Sequence, residues 1–378
     1  MIPCQRELFT IPENVAYFNC AYTSPLLKSA AVIGQHALTR KSAPWALTTD
    51  FFFSDLNANR GLFAALVEAS PEDVAIIPSV SYGIALAARN LPVEAGQTIV
   101  VLQDQFPSNI YSWHRLARDC GADIVRVPRP ADGNWTSAVL TAITPRTAVA
   151  ALPHCHWTDG TLIDLVAVGR HCRACQSALV VDGTQSLGAM PFSVSQIQPD
   201  FLVTTAHKWL LGPYSYGFCY IAPRWQDGHP LEENWLNRAG AEDFARLVDY
   251  REAYQDGAKR FDAGEASNFN LAPIAGEALR QILSWGVVAI AETLRARTDA
   301  IAERAAGLGL EVAPAAYRAP HLIGLRHPRG FPSDLPARLA EANVFASARG
   351  DSIRIAPHLY NTDADVERLF QVLRAQLG

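Results

Sequence analysis

Residues 178–221 read ALVVDGTQSLGAMPFSVSQIQPDFLVTTAHKWLLGPYSYGFCYI, and the fold is decided by three runs within them. ALVVD (178–182), FLVTT (201–205) and GFCYI (217–221) are apolar without alternation, the pattern of strands buried on both faces, as in a parallel sheet covered by helices. The first two runs end on residues that packing does not require. Asp182 closes one, with Gln185 three positions on; Thr205, His207 and Lys208 follow the other. Lys208 stands between a histidine and an apolar Trp-Leu-Leu segment, ahead of Gly212 and Pro213, a setting in which a merely solvated lysine is unusual.

Moving outward, the runs VAIIP (74–78), TIVVL (98–102), DIVRV (123–127) and AVAAL (148–152) repeat the same texture. Amphipathic stretches such as NIYSWHRLARDCGA and TLIDLVAVGRHCRACQ separate them and are long enough to cross back over a sheet. The expectation is an α/β fold with a mostly parallel central sheet flanked by helices, filling a large domain over residues 15–260. After about Ala272 longer helical patterns take over, followed by short strands and a last helix opened by TDAD (362–365), a capping-box pattern. Residues 261–378, with 1–14, are read as a smaller C-terminal α/β domain.

A chain of 378 residues with 49% apolar residues, 18% charged residues and a net charge of −5 fits a globular protein of two lobes acting on small molecules. Nothing in that balance draws it to nucleic acid or to a membrane surface. The first residues lack a basic start, and no uninterrupted apolar run of about 18 residues occurs, so residence in the cytoplasm is the expectation. Seven scattered cysteines suit a reducing compartment. Cys172 and Cys175 have the spacing of a zinc pair, but no second pair accompanies them and they lie in a crossover-helix pattern; no metal is expected.

Open parallel sheets bind ligands beyond the carboxyl ends of their strands. Ser79, Val80 and Ser81 follow the first run and open a helix, a setting suited to a phosphate. Phe106 follows the second; His154, Cys155, His156 and Trp157 follow AVAAL. Hydroxyls, an aromatic ring, imidazoles, a carboxylate and a lysine therefore converge on one crevice, with Trp157, Trp209 and Tyr214 as candidate walls.

VVDGTQSLG followed by TTAHKWLLGPYSYGF resembles the pyridoxal-phosphate enzymes of fold type I, in the class V aminotransferase group that includes cysteine desulfurases, kynureninases and isopenicillin N epimerases. The likeness extends from YFNCAYTSPL to IRIAPHLYNT, and the 26 positions from Asp182 to Lys208 match the group's pattern. It implies pyridoxal 5'-phosphate as cofactor, held by Lys208 as an imine, with Asp182 on the pyridine nitrogen and Gln185 on the phenolic oxygen. It further implies Ser81, Thr205 and His207 around the phosphate, beside Ser79 and Val80 of the same helix start, and Phe106 against the ring. His156, where relatives commonly carry asparagine, is implied near the cofactor as a catalytic residue. Arg354 resembles the arginine that clamps a substrate α-carboxylate, with Asn19 and Trp157 also on the substrate side. RFDAGEASNF resembles the segment that reaches the neighbouring subunit's cofactor, through Ser267 or Asn268, and so implies a homodimer with shared active sites.

Each of these residues also has an ordinary structural use. Asp182 and the serines could cap helices, Phe106 could be core, Arg354 could sit in an ion pair and His156 could be a satisfied structural histidine. No cysteine occurs after Cys219, so the mobile-loop persulfide of cysteine desulfurases is not expected. The leading expectation is a lyase acting on an α-amino acid with a β- or γ-leaving group, such as a cysteine derivative, using Lys208 as base. Class V amino-group transfer, kynureninase-like hydrolysis and epimerisation are the alternatives, with a non-catalytic cofactor- or metal-binding protein more remote.

Overall fold

The apolar runs become one seven-stranded sheet in the computed structural model, which describes residues 1–377. Its strands are β1 (Val74–Ile77), β2 (Thr98–Leu102), β3 (Asp123–Val127), β4 (Thr147–Pro153), β5 (Ala178–Asp182), β6 (Phe201–Thr205) and β7 (Gly217–Ile221), in the spatial order β1-β7-β6-β5-β4-β2-β3. Six strands run parallel, and β7 lies antiparallel between β1 and β6. The reversal has a simple cause. The connection from β6 to β7 is residues 206–216, too short to hold a crossover helix, so the chain turns back as a hairpin.

Successive side chains of a strand point to opposite faces, and here both faces are buried. Leu179 and Val181 enter one core while Val180 enters the other. Helices α1 (Lys28–Arg40), α2 (Ser54–Val67), α3 (Val80–Asn90), α4 (Tyr111–Cys120), α5 (Trp135–Ala142) and α6 (Leu165–Ala174) supply most of the cover. Ile84 of α3 and Trp113 of α4 pack on the Val180 side; Phe63 of α2, Val139 of α5 and Val168 of α6 pack on the other. The DIVRV run differs from expectation: β3 is an edge strand, with Asp123 and Arg126 exposed, and charges there discourage further strand pairing.

Helices α7 (Ala272–Trp285) and α8 (Val287–Ala306) follow. The buried face of α7, with Ala275, Leu279 and Ile282, belongs to the same core as α2 and α6, so the expected division at residue 261 falls ahead of a helix that packs on the sheet side. A third core gathers Ala16, Phe18, Ile301, Leu325, Ile353, Leu369 and Phe370. It is built on β8 (Ile323–Arg326), β9 (Ser347–Arg349) and β10 (Ser352–Ile355), an antiparallel sheet in the order β9-β10-β8, with α9 (Leu335–Glu341) and α10 (Asp363–Leu377). The TDAD pattern closes as a reciprocal cap: Asp365 N–H donates to Thr362 Oγ1 at 3.2 Å and Thr362 N–H to Asp365 Oδ2 at 3.0 Å.

Cys172 and Cys175 lie at the end of α6, and among the described residues no group of three or more His, Cys, Asp or Glu side chains is arranged to hold a metal ion. Among the same residues no single helix is long and apolar enough to cross a membrane.

Candidate active site

A cavity of about 270 Å³ opens at the carboxyl ends of the parallel strands, where the loops after β1, β2, β4, β5 and β6 meet. Among the expected residues, Ser79, Val80, Ser81, Phe106, Trp157, Asp182, Gln185, Thr205, His207 and Lys208 line it. Strand geometry explains the convergence, because parallel strands point all their carboxyl ends, and so all their following loops, to one edge.

Lys208 sits on the loop that makes the β6–β7 hairpin. Ala206 N–H donates to Tyr216 O and Gly212 N–H to Ala206 O, both at 2.8 Å, while Ser24 N–H binds His207 O at 2.9 Å. Gly188, at φ +92°, lets the chain pass against the carbonyl of Trp209, where any Cβ would collide. The loop is thereby fixed on both sides of the lysine. Lys208 Nζ lies 5.3 Å from the centre of the Phe106 ring, so an amine and an aromatic face look at each other across the cavity. Phe106 is held edge-on against Trp157, with ring centres 5.4 Å apart.

Burial is the main influence on the charges here. It lowers the Lys208 ammonium to about 8, with Asp182 opposing the shift and Arg354 and Arg349 reinforcing it. Burial also raises the Asp182 carboxyl, against the hydrogen bond from the Thr184 backbone and the charge of Lys208. Asp182 Oδ1 accepts from Thr184 N–H at 3.0 Å, and no donor among the described residues meets its other oxygen. His207 falls to about 4 through burial first and Lys208 second, so the ring is neutral near pH 7; its Nδ1 is 2.6 Å from Thr205 Oγ1.

At another wall, Ser79 caps α3 by accepting from Tyr82 N–H at 3.2 Å, and Ser79 Oγ lies 2.9 Å from Ser81 Oγ. Two hydroxyls thus stand beside the positive end of an 11-residue helix. Gly83, one turn in, allows α3 to approach Val203 of β6 within 2.6 Å of where a Cβ would lie. Gln185 is oriented by its neighbours: Trp209 Nε1 donates to its Oε1 at 2.9 Å, and its Nε2 donates to Ala21 O at 3.0 Å. Trp209, expected as a wall, is buried behind Gln185, whereas Tyr214 does line the cavity.

Four expected residues lie elsewhere. His156 is fully buried, stacked on Trp135 at 5.4 Å and 5°, with Nδ1 2.7 Å from Thr158 Oγ1 and Nε2 3.2 Å from Gln103 O. Its ring is satisfied by protein groups and does not border the cavity. Arg354 is buried behind Trp157, with Nη1 donating to Trp157 O at 2.8 Å and Nε without a partner. Asn19 accepts from Ser347 Oγ at 2.8 Å and bridges to Ala356, beside the strand that carries Arg354. Asn268 accepts from the N–H groups of Asn270 and Leu271 at 3.1 and 3.0 Å, ahead of α7, and does not line the cavity.

The sequence reading gave no role to Thr184, Gln105 or Cys155, which also line the cavity. Thr184 was legible in Asp-Gly-Thr, because an aspartate commonly accepts from the N–H two residues on. Cys155 had only its position after AVAAL to mark it; it is buried, its thiol is pushed up by burial, and Sγ donates to Gln185 O at 3.2 Å.

These residues fit pyridoxal phosphate. A buried carboxylate with a bare oxygen, an unpartnered buried Thr184 hydroxyl, an amine with a lowered pKa and a hydroxyl-bearing helix N-terminus share one cavity.

Comparison with known proteins agrees. The chain is 28% identical over 320 residues to an uncharacterized aminotransferase, YcbU, of Bacillus subtilis, covering 84% of this chain and 82% of that one. It is 30% identical over 181 residues to isopenicillin N epimerase of Streptomyces clavuligerus, covering 47% and 46%. Its fold superimposes on two structures of C-DES at 21% identity. One is a mutant with glycine covalently linked to the PLP cofactor (TM-score 0.86, 98% of each chain). The other is the cystine C-S lyase with its reaction product cysteine persulfide (TM-score 0.84, 96% and 97%). The class V aminotransferase profile matches residues 49–375, and the chain therefore belongs to the class V aminotransferase family of pyridoxal-phosphate-dependent enzymes.

Proposed function

We propose that the protein is a lyase that removes a β- or γ-substituent from an α-amino acid, of the carbon–sulfur type. The observation that carries this reading is the state of the cysteines around the lysine. Among the described residues Cys155 is the only cysteine lining the cavity, it is held as a thiol donating to Gln185 O, and no cysteine follows Cys219 in the chain. A leaving sulfur group therefore has no protein thiolate to receive it and departs with the product. The structural likeness to the cystine C-S lyase supports the same direction.

In this reading Lys208 Nζ holds the cofactor through its aldehyde, and Asp182 supplies the negative charge that favours a protonated ring nitrogen. Ser79, Ser81, Thr205 and His207 serve the phosphate, and Gln185 donates its remaining amide hydrogen to the phenolic oxygen. When bound, the cofactor supplies an electron sink for the substrate's α-carbon. As a free amine Lys208 would take the substrate's α-proton, and an amine whose pKa is near 8 is well matched to that exchange. Arg354, whose Nε has no partner among the described residues, would be the group that takes the substrate α-carboxylate. The reading includes a homodimer, supported by the exposed aromatic side chains Tyr214, Tyr250 and Trp45, and a reducing compartment, supported by seven free thiols.

The test is product analysis with cysteine, cystine and other β-substituted amino acids. Elimination yields a 2-oxo acid and ammonia in equal amounts. Epimerisation, the second reading favoured by the isopenicillin N epimerase relatives, yields the opposite enantiomer with no ammonia. Transfer of the amino group to an added 2-oxo acid without elimination would replace both.

A further inference from the structure

Lys208 and Trp209 are consecutive, and their side chains go different ways. Lys208 enters the cavity, while Trp209 is fully buried behind Gln185 and does not border it. One turn of chain thus brings an amine to the cofactor site and an indole to the back of another residue of that site. The loop that carries Gln185 is tied to this turn at two points. Gly188 passes against the Trp209 carbonyl, and Trp209 Nε1 donates to Gln185 Oε1 at 2.9 Å.

A glutamine amide is nearly symmetric in shape, so its neighbours decide which end faces which way. Here each neighbour has a single role. The indole N–H can only donate, and the Ala21 carbonyl, which takes Gln185 Nε2 at 3.0 Å, can only accept. Turning the amide over would set its NH2 against the indole N–H and its oxygen against the Ala21 oxygen. Both hydrogen bonds would be lost among residues that are at most 7% exposed, where an unmet polar group is costly. The main chain of Gln185 is held as well. Its carbonyl accepts from His321 Nε2 at 2.5 Å and from Cys155 Sγ at 3.2 Å, and the His321 ring stands edge-on to Trp209 with centres 4.3 Å apart. With Oε1 on the indole and one amide hydrogen on Ala21, a single hydrogen is left on a side chain that borders the cavity.

We infer that Trp209 is a positioning residue: by holding Oε1 it makes Gln185 present an N–H, and not an oxygen, to the phenolic oxygen of the cofactor. This rests on the reading of Gln185 as the partner of that oxygen. An N–H there stabilises the full negative charge that the phenolic oxygen carries once the imine formed by Lys208 has lost its proton, so that proton leaves at a lower pH. An oxygen in the same place would repel the charge and keep the proton on.

The test is a pH titration of the visible absorption band of the holoprotein, whose midpoint reports that proton. Asp182, His207, Arg354, Arg349 and Cys20, the titratable groups around Lys208, are the same in every variant. Gln185→Ala should raise the midpoint by about one pH unit, the scale of one hydrogen bond to a charged oxygen. Trp209→Phe, which keeps an aromatic ring and removes the donor, should raise it by at least about half a unit. In the Gln185→Ala background Trp209→Phe should add less than about 0.3 unit, because a residue that acts through Gln185 then has nothing to act on. If Trp209→Phe does not fold, replacement of Trp209 by benzothienylalanine, which has the shape of tryptophan with sulfur in place of the N–H, serves with the same expected shifts. A raised midpoint for Gln185→Ala beside an unchanged one for Trp209→Phe overturns the role of Trp209 alone. An equal rise from Trp209→Phe in both backgrounds also overturns it, by marking a general packing effect. If the Gln185→Ala midpoint stays or falls, Gln185 does not donate to the phenolic oxygen, and the inference falls with that reading.

Discussion

Lys208 shows how burial makes an amine reactive. An ordinary lysine at pH 7 is neutral in only about three molecules in ten thousand, whereas a value near 8 leaves roughly one in ten neutral, and only the neutral form attacks an aldehyde. Asp182 opposes this by favouring the ammonium, but desolvation is the larger effect. Attachment of pyridoxal phosphate to the apo protein should therefore accelerate with rising pH and level off just above about 8, not near 10.5. Borohydride reduction followed by intact mass measures the attached fraction at each pH, and Lys208→Ala should show no reducible label at any pH. A plateau only above pH 10 would mean that the amine is solvated, contrary to its place in the cavity. Asp182 and Lys208 were readable in the sequence because each is out of character with its apolar strand. His156 was not, since the residues just past a strand end can turn to either side. Here the ring turns onto Trp135 and into hydrogen bonds with Thr158 and Gln103.

The segment that leads from the sheet to α7 is anchored by a buried ion pair. Arg60 of α2 donates from Nη1 to Asp262 Oδ1 at 3.0 Å and from Nη2 to Oδ2, and Ile76 N–H of β1 donates to the same Oδ1 at 2.8 Å. Both side chains are almost completely buried, so removing one leaves the other desolvated and unpaired. Asp262→Ala is expected to cost about 3–5 kcal/mol of stability, while Asp262→Leu combined with Arg60→Met should recover much of it. Urea unfolding of the three proteins measures this; a loss below about 1 kcal/mol for Asp262→Ala would show that solvent reaches Arg60. This pairing was invisible in the sequence, because 202 positions separate its partners. The strands and the Thr362–Asp365 cap were visible because their signals are local. The direction of β7 lay between these cases: its apolar run matches its neighbours, and only the shortness of residues 206–216 distinguishes a hairpin from a crossover.

Across the whole molecule, a set of buried histidines couples the junction between two of the cores to pH. His321 and His358 neighbour Leu322 and Leu359, which pack in the core on one face of the sheet, while Ile323 and Ile355 nearby enter the third core. His358 is enclosed by Trp209, Trp285 and Tyr360, with ring centres 6.1, 6.2 and 5.6 Å away, and neither of its nitrogens has a partner. Burial lowers both His321 and His358 to about 3 and His154 to about 4. The sign follows from proton binding. Below the ordinary value near 6.5 the unfolded chain binds protons that the folded chain refuses, so stability falls as pH drops from about 6.5 toward 3. Each such histidine adds up to about 1.4 kcal/mol per pH unit to that fall. Between pH 6.5 and 5 ordinary carboxylates scarcely titrate, so the histidines dominate the slope there. His358→Phe, which suits the aromatic enclosure and removes the titrating ring, should reduce the slope of unfolding free energy against pH by up to one proton in that window. Urea midpoints at half-unit intervals measure it. An unchanged slope would mean that His358 takes up a proton in the folded protein as readily as in the unfolded chain, and that the junction between the cores admits water.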